Sequence, residues 1–218
     1  MAELADRICN FAGGLVCHQL PERSISINGK PLAVCARCTG IYLTVSVMFI
    51  AYVLVWMLFK TVINTIRKKT KTHYSIVPTS WQIVLAGIFA VQLLGIMIAD
   101  GVGNSVGLWA SSEGIRLLTG TSFGLGLYIF FIFIKNYDLN YIKMTVSKNS
   151  VISFMLGTAV ILLLNFLIIK KNIGLLNAGL MLNLMIITGI FILALGFAIL
   201  LFVKVKQISR WGKNDGRA

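Results

Sequence analysis

The chain has 218 residues, of which 57% are hydrophobic and only 12% charged, with a mean hydropathy of +0.86. A water-soluble domain carries about 25% charged residues, so a soluble globular protein is excluded, and so is intrinsic disorder, which needs low hydrophobicity. The net charge of +13 then belongs to loops and tails between membrane spans.

The N-terminal stretch is polar and of mixed charge, with no apolar core after a basic start, so no cleavable signal peptide is expected. The apolar stretch before Cys17 is short and holds Gly13 and Gly14, so no span is expected there. All four cysteines, Cys9, Cys17, Cys35 and Cys38, fall in the first 38 residues. Between Cys17 and Cys35 the chain reads Ile25-Ser26-Ile27, then Asn28-Gly29, then Lys30-Pro31-Leu32. Alternating apolar residues around Asn-Gly predict a hairpin. Pro31 cannot donate to a ladder, which makes its strand an edge or a broken one. Such a hairpin folds Cys35 and Cys38 back toward Cys17 and His18.

Three chemistries fit this module. Cys35-x-x-Cys38-x-Gly40 has the form of a zinc knuckle, in which the glycine lets backbone amides turn toward sulfur. Cys17, Cys35 and Cys38, with His18 or Cys9 as fourth ligand, make a common structural zinc set. Alternatively, Cys35 and Cys38 at a helix N-terminus have a lowered thiol pKa, to which Arg37 between them adds. That pair can exchange electrons with Cys9 and Cys17 and with a lipid-soluble quinone. The third reading is one or two structural disulfides stapling a small outer cap.

Five uncharged stretches are long enough to cross a bilayer, which takes about 20 apolar residues. They are Gly40–Phe59, Trp81–Ala99, Leu117–Ile134, Val151–Ile169 and Leu180–Val203. Within hydrocarbon each must satisfy its own backbone, so all are expected to be helices. Five spans place the termini on opposite sides. The side with the N-terminus carries Arg7, Arg23, Lys30, Arg37, Arg116, Lys170 and Lys171, and the other carries the remaining thirteen of the 20 Lys and Arg. The positive-inside rule then puts the N-terminus outside the cell membrane and the C-terminus in the cytoplasm. The cluster Arg67-Lys68-Lys69 with Lys71 follows a span, so anionic lipid headgroups are its expected partner rather than nucleic acid.

Asp100 ends the second span and Arg116 opens the third, on the same side as the cysteines. Ionisable residues at membrane depth are expensive and usually functional. They either pair with each other to brace two helices, or form an anion-binding or acid–base site beneath the cysteine cap, with Glu22 and Arg23 joining from the hairpin. Gly120, Gly124 and Gly126 are expected to let helices pack closely. Gln92, Asn165, Asn177 and Asn183 are expected to make interhelical hydrogen bonds. Trp56, Trp81 and Trp211 lie near interfaces, as belt residues do.

The runs Cys17-His18-Gln19, Pro21-Glu22-Arg23-Ser24 and Cys35-x-Arg37-Cys38-Thr39-Gly40-Ile41-Tyr42 resemble the signature of the domain of unknown function 2085 family. A second region of that family is similar to Asp100-Gly101 and Arg116-Leu117-Leu118-Thr119-Gly120, with Glu113-Gly114-Ile115 standing where the family usually carries an asparagine before the arginine. The resemblance implies a small prokaryotic membrane protein with a shared polar site, and no established activity.

The expected fold is an all-α bundle of five transmembrane helices (residues 40–203), with an N-terminal Cys/His module (1–39) and a basic tail (204–218). The expected function is that of a membrane-embedded enzyme or binding protein. Cys17, His18, Cys35 and Cys38 would hold zinc, while Glu22, Asp100 and Arg116 would contact an anionic or lipid substrate. A quinone-linked thiol oxidoreductase and a non-enzymatic scaffold or small transporter are the alternatives.

Overall fold

A computed structural model describes residues 2–27, 29–66, 75–76, 80–138, 143–144, 146–170 and 178–215. Six α-helices account for most of them: α1 Ala2–Gly14, α2 Ala36–Ile66, α3 Ser80–Ser105, α4 Glu113–Asn136, α5 Lys148–Ile169 and α6 Ala178–Asp215. Five are long and apolar enough to span a bilayer, over Ala36–Leu58, Gly87–Ser105, Glu113–Ile132, Val151–Ile169 and Gly179–Ile199. The apolar runs of the sequence are therefore helices, as backbone satisfaction in hydrocarbon demands. The basic cluster at residues 67–71, His73 and Asn177 lie outside the described residues.

Helix α2 is the hub, flanked by α4, α5 and α6, and α3 packs on α4. The bundle is tied by polar side chains that find partners across helices. Asn165 Nδ2 on α5 donates to Thr121 Oγ1 on α4 at 2.8 Å, and the hydroxyls of Ser46 and Thr188 join α2 to α6 at 3.2 Å. Gln92, by contrast, faces outward.

Close approach of α2 and α4 rests on two glycines. A Cβ at Gly40 would strike the carbonyl oxygen of Leu117, and one at Gly120 would strike the carbonyl oxygen of Arg37. Each helix thus presses its bare backbone against the other, the small-residue packing typical of membrane helices. The glycine of the Cys-x-Arg-Cys-x-Gly run is therefore a helix-contact residue inside α2, and not the knuckle glycine that its spacing resembles.

The expected hairpin forms, with β1 Ser26–Ile27 paired antiparallel to β2 Lys30–Pro31. Gly29 takes φ +77° at the turn, where a side chain would be strained. Ile25, Ile27, Leu32 and Val34 point inward and join Leu43, Leu117, Ile161, Ile168, Leu182 and Ile186 of the helices in one buried core. The cap thus plugs one end of the bundle, the end where α2, α4 and α6 begin and α3 and α5 finish. A short ladder pairs Ser75 of the first loop with Ser147 of the third, and another pairs Tyr137 with Met144 within the third loop.

Two features depart from the sequence reading. The N-terminal tail is not a plain polar segment but contains a 13-residue helix, α1, which packs against α6. Helix α3 does not stop at Asp100 but runs on to Ser105. Its end is a glycine cap: Gly107 takes φ +79° and the Leu108 amide donates back to the Gly103 carbonyl at 2.9 Å, closing the helix's free carbonyls. Asp100 does not end the helix because its charge is neutralised in place.

Candidate metal centre

The cysteine module is held by side-chain amides. Asn183 Oδ1 on α6 accepts the Ala33 amide at 2.9 Å, and Gln19 Nε2 donates to the Ala33 carbonyl at 2.8 Å and to the Asn10 carbonyl. Ala33 is thus gripped from both sides, and Val34 and Ala36 beyond it are fully buried. Gln19 adopts φ +49°, which swings the chain after Cys17 so that this amide reaches inward. Gln19 stands in the Cys17-His18-Gln19 run of the family resemblance, whereas Asn183, expected to bond between helices, instead reaches the module across 150 residues of sequence.

Cys35 is the N-cap of α2: its carbonyl accepts the first helical bond, from the Thr39 amide at 2.8 Å. Its sulfur takes the place of the usual capping oxygen. The Cys35 thiol is held far below its ordinary value, at about 5, because the Cys38 thiol donates to its sulfur. Burial opposes this, while the amides of Cys38 and Arg37 and the Cys17 thiol donate as well. Cys17 approaches from the opposite side, and its Sγ accepts the Cys35 amide at 3.3 Å.

The sulfurs of Cys17, Cys35 and Cys38 all lie within 4.8 Å of one another, and all are half-buried free thiols. Thiolates around zinc at about 2.3 Å in tetrahedral array sit about 3.8 Å apart, so this group fits one ion with modest contraction. Soft thiolate donors suit zinc and other soft cations. Tyr42, one turn beyond Cys38 on α2, packs beside the cluster within its electrostatic reach.

The structure does not bring every expected residue to this centre. His18 is exposed and stands outside the group of ligand atoms. Cys9 is 1% exposed on α1, also outside the group, and burial, with Asp6 nearby, pushes its thiol up. Glu22 and Arg23 lie exposed on a 3-10 turn at residues 21–23. Arg116 is half-buried in the first turn of α4, on the same face as Gly120, and its buried Nε has no hydrogen-bond partner among the described residues.

Asp100 does not pair with Arg116. It is 6% exposed and pairs with Arg37, whose Nε donates to Oδ2 at 2.9 Å and whose Nη2 reaches the same oxygen. Ser111 Oγ and Trp109 Nε1 donate to Oδ1, the latter at 3.4 Å, and Thr119 Oγ1 approaches Oδ2 at 3.4 Å. The segment after α3 folds back to make these contacts, with the Trp109 ring against Gly103 and the Ser111 amide on Asn104 Oδ1 at 3.2 Å. Arg37 therefore directs its charge away from the thiols that flank it in sequence. Trp109 and Ser111 carry no signal in the sequence beyond their nearness to Asp100, whereas Thr119 belongs to the run Arg116-Leu117-Leu118-Thr119-Gly120 that carries the family resemblance.

A protein of Methanocaldococcus jannaschii described as uncharacterized is 35% identical over 133 residues, covering 59% of this chain and 70% of the relative. An uncharacterized protein of Methanothermobacter thermautotrophicus is 27% identical over 114 residues, covering 52% of this chain and 82% of the relative. No solved structure matches. A family described as predicted membrane protein, domain of unknown function 2085, matches residues 17–130, a stretch that takes in the cysteine cluster, Arg37, Asp100, Arg116 and the glycine contact. With more than half its length matched, the chain belongs to that membrane-protein family.

Proposed function

We propose that this protein carries a three-thiolate zinc centre at one face of the membrane. The observation that supports it is the convergence of Cys17, Cys35 and Cys38 within 4.8 Å, from a loop, a helix cap and a helix turn. Three protein ligands leave one coordination position open, the arrangement by which catalytic zinc binds water or a substrate atom. The reading is a membrane-embedded enzyme or binding protein whose open metal position takes an anionic or lipid headgroup. Arg116, with its unpartnered Nε, is the cation offered to that group. Glu22, exposed on the neighbouring turn, is the available base. Asp100 acts through Arg37, holding the start of α2 in place. By the distribution of Lys and Arg, the centre faces outside the cell membrane.

Titration of the reduced, metal-free protein with zinc against a competing chelator tests the centre. Binding of one ion per chain is expected, lost in Cys17→Ser, Cys35→Ser and Cys38→Ser and kept in Cys9→Ser and His18→Ala. Equal binding by all five variants would overturn the assignment.

A second reading is favoured by the position of Cys35 as a helix N-cap with Cys17 in reach. The Cys35–Cys38 dithiol would be oxidised to a disulfide, giving two electrons and two protons to a quinone, which becomes quinol. Cys17, rather than Cys9, would be the thiol placed to exchange with that disulfide, its sulfur bonding to Cys35 as Cys38 leaves as a thiol. Reversible alkylation trapping of a Cys35–Cys38 disulfide, with quinone reduction, would support this reading over zinc.

A further inference from the structure

Helix α1 has its polarity turned around relative to an ordinary surface helix. Leu4, Ile8 and Phe11 follow a spacing of four and three residues, which places them on one face, and Leu15 comes directly after the helix's last residue, Gly14. That face points away from the protein: the four side chains are 64%, 55%, 73% and 72% exposed. The opposite face carries small residues and is the one that packs inward, with Cys9 1% exposed and Gly13 pressed on the Ala33 carbonyl. A helix that buries its cysteine and glycine while exposing leucine, isoleucine and phenylalanine has an apolar medium on its outer side.

The depth of α1 identifies that medium. Gly13 touches Ala33, and the Ala33 amide is bonded to Asn183, which lies in the second turn of α6 and inside the span Gly179–Ile199. The C-terminal end of α1 is therefore level with the beginning of a transmembrane helix. Against α1 stands α6, whose Met181 and Leu184 also face outward, so the stripe continues the lipid-facing surface of the bundle. At 13 residues, or about 20 Å, α1 is too short to cross the hydrocarbon core. Its remaining outward side is polar, with Arg7 and Asn10 exposed.

We propose that α1 is an interfacial helix, lying in the bilayer surface on the cysteine side with Leu4, Ile8, Phe11 and Leu15 inserted among the acyl chains. Such helices bury one apolar face about 5–10 Å into the headgroup boundary and keep their charges at the polar edge. The bilayer thereby holds α1, and through Gly13 and Gln19 the segment at Ala33, against the mouth of the bundle. The thiol cluster is then attached to the membrane surface on both sides, by α2 within the core and by α1 along the interface.

The test is photo-crosslinking of the full-length protein in phosphatidylethanolamine and phosphatidylglycerol vesicles. A benzophenone amino acid is placed singly at Phe11, Leu15 or Asn10. Because Phe11 and Leu15 are so exposed, neither substitution disturbs the fold. The expected result is lipid adducts at 11 and 15, about fivefold above those at 10. Chain-to-chain crosslinks at 11 and 15 would overturn the proposal by making the stripe a contact between copies. Equal adducts at all three positions would overturn it by leaving the stripe no more lipid-facing than the polar side, and no adducts at any of them would overturn it by placing α1 away from the bilayer. A second measurement is alkylation of Cys17, Cys35 and Cys38 in vesicles after replacing Leu4, Ile8 and Phe11 with Ser. Faster alkylation is expected, with unchanged rates in detergent, and equal rates in vesicles would count against the role of α1 in holding the cap.

Discussion

Arg37, the residue between the second and third cysteines of the cluster, is clasped by Asp100 from a different helix, with Arg37 Nε at 2.9 Å from Oδ2. The pair ties the start of α2 to the far end of α3, although those helices otherwise meet through α4. Both side chains are mostly buried, at 20% and 7% exposed. Removing one charge leaves the other stranded in a poor solvent, while removing both does not.

Arg37→Met and Asp100→Leu should therefore each destabilise the protein by about 3 kcal/mol, at the low end for buried pairs because Arg37 keeps some access to solvent. The double variant should lose less than the sum of the singles. Thermal unfolding in detergent, followed by tryptophan fluorescence, checks the cycle. Strict additivity would mean that the pair contributes no coupling.

Gly120→Ala should cost about 1–3 kcal/mol, because its methyl group must push α4 off the Arg37 carbonyl. Gly95→Ala provides the contrast. It has open space around it, and a helix interior prefers alanine to glycine, so no loss of stability is expected. Melting temperatures of the two variants decide the matter.

Asn183→Leu removes the acceptor of the Ala33 amide at a site where both are buried. An unsatisfied buried amide costs about 1–3 kcal/mol. Beyond stability, the Cys35 segment loses its anchor to α6. Alkylation of Cys35 in the metal-free protein should speed up in Asn183→Leu, and Asn183→Asp, which keeps an acceptor, should alkylate nearly as slowly as the parent.

The low value of the Cys35 thiol, about 5, gives a pH signature. Its folded-state pKa lies below the unfolded one, so the stability it supplies is complete above the ordinary thiol range and is lost as pH falls through about 5. In the metal-free protein, Cys35 alkylation should stay nearly level from alkaline pH to near 6 and then decline. Cys9, whose thiol is pushed up by burial, should react only under more alkaline conditions, and then slowly. Peptide mapping by mass spectrometry after timed alkylation separates the two. Parallel profiles would contradict the capped geometry of Cys35.

The five spans were legible because hydrocarbon leaves the backbone one local solution, and the hairpin was legible because Asn28-Gly29 dictates its turn. The gathering of Cys17 with Cys35 and Cys38 followed from that hairpin. The end of α3 was misread, since a charged residue ordinarily closes a span and nothing near Asp100 in the sequence announces Arg37 as its partner. Gly40 was misread for a related reason: spacing alone does not distinguish a glycine turning amides toward sulfur from one admitting the α4 backbone. The apolar stripe of α1 is visible in the sequence at positions 4, 8 and 11, but a helix of 13 residues is too short to carry the signal of a span, which takes at least about 17. The Asn183 clamp had no local trace, as it joins segments 150 residues apart.

The central claim is that Cys17, Cys35 and Cys38 hold one metal ion while Cys9 stands apart. It is tested most directly by zinc content and free-thiol count on protein purified in detergent without reductant or chelator. The account predicts about one zinc per chain, with Cys17, Cys35 and Cys38 alkylated only after chelation, and the zinc lost in Cys17→Ser but kept in Cys9→Ser. No metal together with a Cys35–Cys38 disulfide in the native protein would contradict it.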